Sequence, residues 1–423
     1  MVKKLHLVWQ WFNKTGEEEG QIRKEVLSGK EDYFNSPKGD CRVIKIVDDL
    51  GFSESDPEQA ITKATIQALK EAYSGKVTFD LDPSSFAGYK VTVARQPNGT
   101  MVKLSMGQKV VEAARKYMPH LLSDEKKVGT LEGKELRTTL EALALPDVRG
   151  TKLDAGQKRT QQIIGDLKYF ERGTMPRLSR MVHRLSCIMS FPPPEALAAA
   201  EGVLSEAYAN RSDAIIFGAS DVKRETPVQG RLRGTSLLAD GAPSELEVSA
   251  DASSVLPAVI GILITYAGAA VLHQTKKIGS AVSSMHDAEN IATVKASEHA
   301  VYGRVVLKAL GAAPTGPTTL LTDNLANQRV VQNANAAALS RYFLARQACI
   351  HQRVADGELA CVHIHDPQNP SDFLTKFIDA MKTSLSLAYA SGLRRATGSS
   401  GLAFDAGREP ESGAVVATAA RDT

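Results

Sequence analysis

Four acidic residues in the second half of the chain occupy positions from which side chains do chemistry. They are Asp251 in "VSADAS", Glu289 in "SSMHDAENIA", Asp323 in "TTLLTDNLAN" and Asp372 in "NPSDFLTK". The local pattern puts two of them on strands and two at helix starts. Taken singly, each reads as a cap, a turn acid or a first-turn acid favoured by the helix dipole. Taken together they repel, and divalent cations are what normally makes such a cluster tolerable. Mg²⁺ prefers oxygen ligands and retains waters, so it suits a few carboxylates plus phosphate oxygens. Two such ions about 4 Å apart can activate a water and stabilise the leaving oxygen of a phosphodiester. Spacing alone does not bring the four acids together, so the elements that carry them decide the matter.

From Leu246 the pattern runs strand, strand, strand, helix, strand, helix, strand, helix. The strands are "LEVSADAS", two pieces of the apolar run Val255 to Leu272, "TTLLTD" and "ELACVHIHD". Helices are expected at about 287–310, 324–333, 338–355 and 370–390, which makes residues 244–390 one α/β domain of ordinary size. The apolar run has 18 residues without a charge, at the lower limit for a membrane span. Pro257, Gly261 and Gly268 interrupt it and β-branched residues fill it, so two neighbouring buried strands are expected instead.

Upstream, "CRVIKIVDDLGF" reads as a strand running into Asp48 and Asp49, and residues near 57–72 as an amphipathic helix. Two alternating runs around Pro97-Asn98-Gly99 form a hairpin, followed by a helix in "GQKVVEAARKYM". Residues 121–159 and 221–243 read as linkers, 160–220 as a helical segment broken at Pro192–Pro194, and 391–423 as a disordered Gly/Ser/Ala-rich tail. With 43% hydrophobic residues the chain can build real cores, while a net charge of +3 neither demands nor excludes nucleic acid. Four widely spaced cysteines indicate neither a zinc site nor a disulfide framework. A reducing, intracellular setting, cytoplasmic or nuclear, is expected, and no secretory signal is read at the N-terminus.

The stretches "VSADAS", "VSSMHDAENIA", "LLTDNLA" and "DGELACVHIHDPQNPSDFLTK" resemble, in order and spacing, the RNase H domain of copia-type LTR retrotransposon Pol polyproteins. "KIVDDLGF" resembles that family's polymerase box. The segment at 83–114 resembles the family's stretch just after the palm, and the segment at 160–207 resembles its lead into RNase H. The resemblance implies an RNase H-like mixed sheet with flanking helices, preceded by a partial α+β reverse-transcriptase palm and connection fragment (residues 1–120, then the helical segment). It implies Asp251, Glu289, Asp323 and Asp372 as catalytic metal ligands for two Mg²⁺ ions, with Mn²⁺ as a substitute, and hydrolysis of the RNA strand of RNA–DNA hybrids. The position of the Glu, second of the four acids, favours RNase H over the integrases that share the fold.

The match departs in places. The polymerase box has Ile46 where the family has Tyr, and only 47 residues precede Asp48, too few for the family's other palm carboxylate. Asp48 and Asp49 are therefore read as a relic, and polymerisation by this chain alone is not expected. Asp287 competes with Glu289 as ligand, and Glu289 is preferred. Further candidates are Lys276, Lys277 and Arg341, with Arg346, as phosphate-backbone contacts. His363 and His365 alternate on one strand face, and His365 is preferred as a proton carrier near the metals. The alternative reading is a catalytically inactive relic with at most weak nucleic-acid binding.

Overall fold

The structure is a computed structural model that describes residues 23–27, 30–35, 41–46, 49–54, 60–72, 84–86, 88–96, 99–123, 131–144, 152–218, 246–254, 257–310, 312–332, 341–366 and 369–392. For some of these, including 23–54 and 341–347, the backbone alone is described.

The chain opens on an antiparallel meander of β1 (Arg23–Leu27), β2 (Lys30–Asn35), β3 (Cys41–Ile46) and β4 (Asp49–Glu54), followed by helix α1 (Ala60–Ala72). The first two strands fall in a span whose mixed polar composition gives no period-2 signal. A second sheet joins β5 (Ser85–Phe86), β6 (Tyr89–Gln96) and β7 (Gly99–Ser105) to β8 (Ala214–Gly218), which returns antiparallel to β7 from far along the chain. Between β7 and β8 lie α2 (Gly107–Tyr117), α3 (Gly133–Ala142), α4 (Ala155–Gly173), α5 (Ser179–Cys187) and α6 (Glu195–Ala209). They share one core that includes Val110, Leu140, Ile163, Leu167, Leu185 and Val203.

This packing corrects the expected boundaries. Residues 121–159 are not a bare linker, because α3 lies within them and α4 begins there under an Asp154–Gln157 capping box. The apolar stripe of α3, Leu136 and Leu140 with Leu143 just beyond, is short and sits among Lys, Glu and Gly. Its C-terminal carbonyls are satisfied from a distance: Arg184 of α5 donates to the carbonyls of Leu140, Glu141 and Leu143 at 3.1, 3.0 and 3.2 Å. Because β7 pairs with β8 and α2 shares the helices' core, the cuts at 120 and 160 run through one packed unit.

The third sheet is the five-stranded mixed sheet with flanking helices expected from the sequence. Its strands are β9 (Glu247–Ser253), β10 (Val259–Tyr266), β11 (Ala269–Lys277), β12 (Thr318–Thr322) and β13 (Leu359–His363), in the order β11-β10-β9-β12-β13. β10 is antiparallel to both β9 and β11, and β12 is parallel to both β9 and β13. Helices α7 (Met285–Ala309), α8 (Leu325–Gln332), α9 (Arg341–Ala355) and α10 (Ala380–Ser391) flank it. The apolar run became the β10–β11 hairpin, turning at Ala267 and Gly268, both at positive φ. No helix among the described residues is long and apolar enough to cross a membrane.

Two local features set the distances at the end of β9. Ala288, Ala292, Ala296 and Ala300 recur every fourth residue along α7 and are buried, so the helix axis lies close against the sheet. Gly261 of β10 pairs with Asp251 of β9, and a Cβ there would lie 2.7 Å from Leu374 Cβ and 2.9 Å from Thr375 Cγ2. The missing side chain lets the segment 371–375 rest on the sheet beside Asp251. That segment is a 3₁₀ turn (Asp372–Leu374), which corrects the helix expected over 370–390. Phe373 and Leu374 bury themselves against Leu263 and Ala270, and this tertiary contact outweighs helical continuity. The helix begins only after Asp379, whose side chain accepts from Lys382 N at 2.9 Å as an N-cap.

Candidate metal centre

Three carboxylates converge above the carboxyl ends of β9 and β12. One oxygen each from Asp251, Asp323 and Asp372 lies within 4.8 Å of the others. Asp251 projects from the central strand and is fully buried. Asp323 follows β12 directly, where the parallel strand ends beside β9. Asp372 is delivered by the 3₁₀ turn seated over Gly261. The fourth acid, Glu289, stands one turn into α7; its Oε1 accepts from the Ala252 amide at 3.2 Å, next to Asp251. Its Oε2 is buried without a hydrogen-bond partner, as is Asp372 Oδ1.

Electrostatics follow from this crowding. Burial first, then the negative charge of Asp372, raises Asp251 to about 8. Burial, with Asp251 and Asp323 nearby, raises Glu289 to about 9. Asp323 is also raised, mainly by burial, against the opposing hydrogen bond from Asn369. These acids resist ionising together unless a cation joins them.

Cationic and polar side chains hold the cluster in place. Lys376 Nζ lies 3.2 Å from Asp251 Oδ1 and 3.7 Å from Asp372 Oδ1. Burial works against its charge, but Asp251 and Asp372 hold the ammonium above the ordinary lysine range. Lys382 pairs with Asp372 Oδ2 and donates to the Asp366 carbonyl at 2.8 Å. The Thr375 hydroxyl donates to Asp251 Oδ2. Asn369 Nδ2 bridges the Asp323 carboxylate and the Ala250 carbonyl, each at 3.2 Å.

The donor set fits a hard divalent cation. Oxygens ligating an ion at about 2.1 Å sit roughly 3 to 4 Å apart, so a spread of 4.8 Å needs only a small inward adjustment. The buried oxygens Glu289 Oε2 and Asp372 Oδ1, which accept no hydrogen bond, are what such an ion would satisfy.

No protein-family model matches the chain, and no curated protein matches it. Among solved structures, LC11-RNase H1 in complex with an RNA/DNA hybrid is similar at 18% identity, covering 31% of this chain and 93% of that one, with a TM-score of 0.24. The foamy viral protease-reverse transcriptase in complex with RNA/DNA hybrid is similar at 12% identity over 80% of this chain, with a TM-score of 0.37. A foamy viral protease-reverse transcriptase in complex with double-stranded DNA is similar at 12% identity over 76% of this chain, with a TM-score of 0.36. The chain spans 37% and 46% of those two foamy viral chains.

The other predicted residues fall less tightly. Asp287 caps its own helix region, accepting from Ser283 N at 3.1 Å, while Glu289 faces the cluster. His363 Nε2 lies 3.1 Å from the Asp323 carbonyl, whereas the preferred His365 is exposed and meets His363 edge-on at 5.7 Å between ring centres. Lys276 and Lys277 are exposed on β11, one and two residues beyond Thr275, whose hydroxyl donates to the Leu374 carbonyl at 2.7 Å. Arg341 opens α9 and Arg346 lies within it, with only their backbone described. Asp48 lies outside the described residues, and Asp49 is placed by backbone alone, opposite Ile46 at the start of β4. The reading from sequence missed Lys376, Lys382, Thr375 and Asn369. The first, third and fourth of these stand in the quoted stretch "QNPSDFLTK", close to Asp372, and that proximity was the available signal.

Proposed function

We propose that this chain is a retroelement-derived RNase H of copia type, which hydrolyses the RNA strand of RNA–DNA hybrids with Asp251, Glu289, Asp323 and Asp372 as ligands for Mg²⁺. The observation that carries the reading is the meeting of Asp251, Asp323 and Asp372 within 4.8 Å from three separate elements, with Glu289 beside them. Divalent ions bound there would supply an activated water and charge stabilisation at the leaving oxygen. The chain's own residues do the positioning. Thr375 and Lys376 fix the two oxygens of Asp251, and Asn369 ties Asp323 to the backbone of β9. Glu289, raised to about 9, is able to keep a proton at neutral pH until a cation displaces it. The reading gives His365, exposed beside His363, the role of proton carrier. Hybrid recognition would rest on shape, backbone and 2′-hydroxyl contacts.

The competing reading, a relic that folds without cleaving, draws on one observation: Lys376 and Lys382 already neutralise Asp251 and Asp372. A labelled hybrid incubated with Mg²⁺ separates the two. The nuclease reading expects RNA-strand cleavage that Asp251→Asn reduces by roughly a hundredfold or more. Cleavage that survives the substitution rejects the site, and a folded wild-type chain that never cleaves favours the relic.

A further inference from the structure

A cavity of about 120 Å³, lined by charged and apolar side chains, lies between the helical unit and the sheet domain, with Lys376 on its wall. That is room for several waters or one tetrahedral anion. Its charge is lopsided: Arg137, Arg177, Arg180 and Lys376 line it against the single carboxylate of Glu206. Glu206 is already shared, with Arg177 at 3.6 Å and Asn210 at 3.1 Å, while Arg177 also binds Asp213 at 2.5 Å.

Arg180 is the unusual member. Only 8% of it is exposed, yet its Nε and Nη1 have no hydrogen-bond partner. Its guanidinium lies 5.9 Å from the centre of the Phe377 ring, and Arg137 approaches the same ring at 5.6 Å. A buried guanidinium without a carboxylate costs stability, and proteins normally pair it. Asp213 engages Arg177, and Asp251 and Asp372 engage Lys376, so the uncompensated charge in the cavity is that of Arg137 and Arg180, and an anion there would be held by charge-assisted hydrogen bonds.

We infer that this cavity is a phosphate-binding pocket, formed by Arg180, Arg137 and Arg177 of the helical unit together with Lys376. The phosphate is either a diester in a nucleic-acid strand or a free phosphate group, since both present the same oxygens. The pocket adjoins the carboxylate cluster through Lys376, and its occupancy does not require cleavage there.

The test is thermal unfolding of the full chain in EDTA, so that the result is independent of the nuclease reading. One arm titrates inorganic phosphate against chloride at matched ionic strength. The other titrates a short thymidine oligonucleotide without terminal phosphates. Wild type is expected to be stabilised saturably in at least one arm, and the responding arm names the source of the phosphate. Arg180→Met is expected to unfold no earlier than wild type without ligand and to weaken the response about tenfold or more. A wild type that responds in neither arm, or an unchanged response in a folded Arg180→Met chain, overturns the assignment. If that variant does not fold, the exposed Arg137→Ala is judged by the same criterion.

Discussion

Asp251→Asn separates a carboxylate kept for a cation from one kept for the fold. In the folded chain the Asp251 carboxyl rises from 3.8 to about 8, chiefly through burial. The folded state therefore binds this proton more tightly than the unfolded state. Stability contributed by the group is complete below about pH 4 and drains away as pH rises through about 8. Each pH step costs about 1.4 kcal/mol, so by pH 7 the ionisable side chain costs on the order of 4 kcal/mol relative to one that stays neutral. The value of about 8 already includes the attraction of Lys376. Asn keeps the size and an acceptor for Thr375, but adds an amide N–H₂ that needs a partner, which takes back on the order of 2 kcal/mol. The net expectation is a metal-free Asp251→Asn chain roughly 2 kcal/mol more stable than wild type at pH 7, a rise of several degrees in Tm. Unfolding is monitored in EDTA at pH 5, 7 and 9, then repeated with millimolar Mg²⁺. Wild-type Tm should fall along the EDTA series more steeply than that of the variant, and Mg²⁺ should raise wild type only. If the variant is the less stable at pH 7 in EDTA with the same pH slope, Asp251 is a structural partner of Lys376 and the metal-site reasoning fails.

Glu289→Gln keeps the acceptor for the Ala252 amide, so metal-free stability at pH 7 is expected to hold or rise while hybrid cleavage falls at least about tenfold; Asp287→Asn, by contrast, should cost about 1 kcal/mol at the helix start and leave cleavage in place. Equal cleavage losses in the two variants would count against Glu289 as the ligand. Lys376→Met leaves Asp251 and Asp372 facing each other; because Lys376 is 36% exposed, the loss in EDTA should be only about 1 kcal/mol. Mg²⁺ should restore that loss, and an equal deficit with and without Mg²⁺ would show that cation and lysine do not share the site. Gly261→Ala drives a methyl into Leu374 and Thr375, costing about 1–3 kcal/mol and displacing Asp372. A chain that keeps wild-type cleavage after this change would show that the 3₁₀ turn does not set the Asp372 position.

The sheet domain was readable because its signals are local. The β-branched run of β10 and the Gly268 turn each sit inside a few residues, as does the period-2 pattern of the separate hairpin at Gly99 in the second sheet. Where the structure departed, the deciding contact came from far along the chain. The α3 helix ends on the Arg184 side chain, 41 to 44 residues away, and β8 pairs with a strand more than a hundred residues upstream. The 370–390 segment has enough helix formers to suggest one helix. It is broken because Phe373 and Leu374 gain more by filling the space above Gly261 than a continuous helix would gain in hydrogen bonds.

The site shows the same division at finer scale. Carboxylates at a strand end and in "SDFLTK" could be suspected from residue type, since buried acids need a reason. Their counter-ion could not, because Lys376 contacts Asp251 across 125 positions. Yet Lys376 is also four residues from Asp372, so one short segment carries an acid and the cation that faces it. The arrangement gives the crowded acids a local cation while leaving Glu289 Oε2 and Asp372 Oδ1 without hydrogen-bond donors. One ammonium lies within hydrogen-bonding reach of a single oxygen of Asp251, whereas a divalent ion with six oxygen ligands could draw on all four carboxylates. Competition between Lys376 and a divalent ion for the same oxygens therefore arises from geometry. It predicts that metal affinity, measured by calorimetry on the full chain, increases when Lys376 is replaced by Met and decreases when Glu289 is replaced by Gln. A lysine that instead supports metal binding would reverse the first sign and leave the second intact.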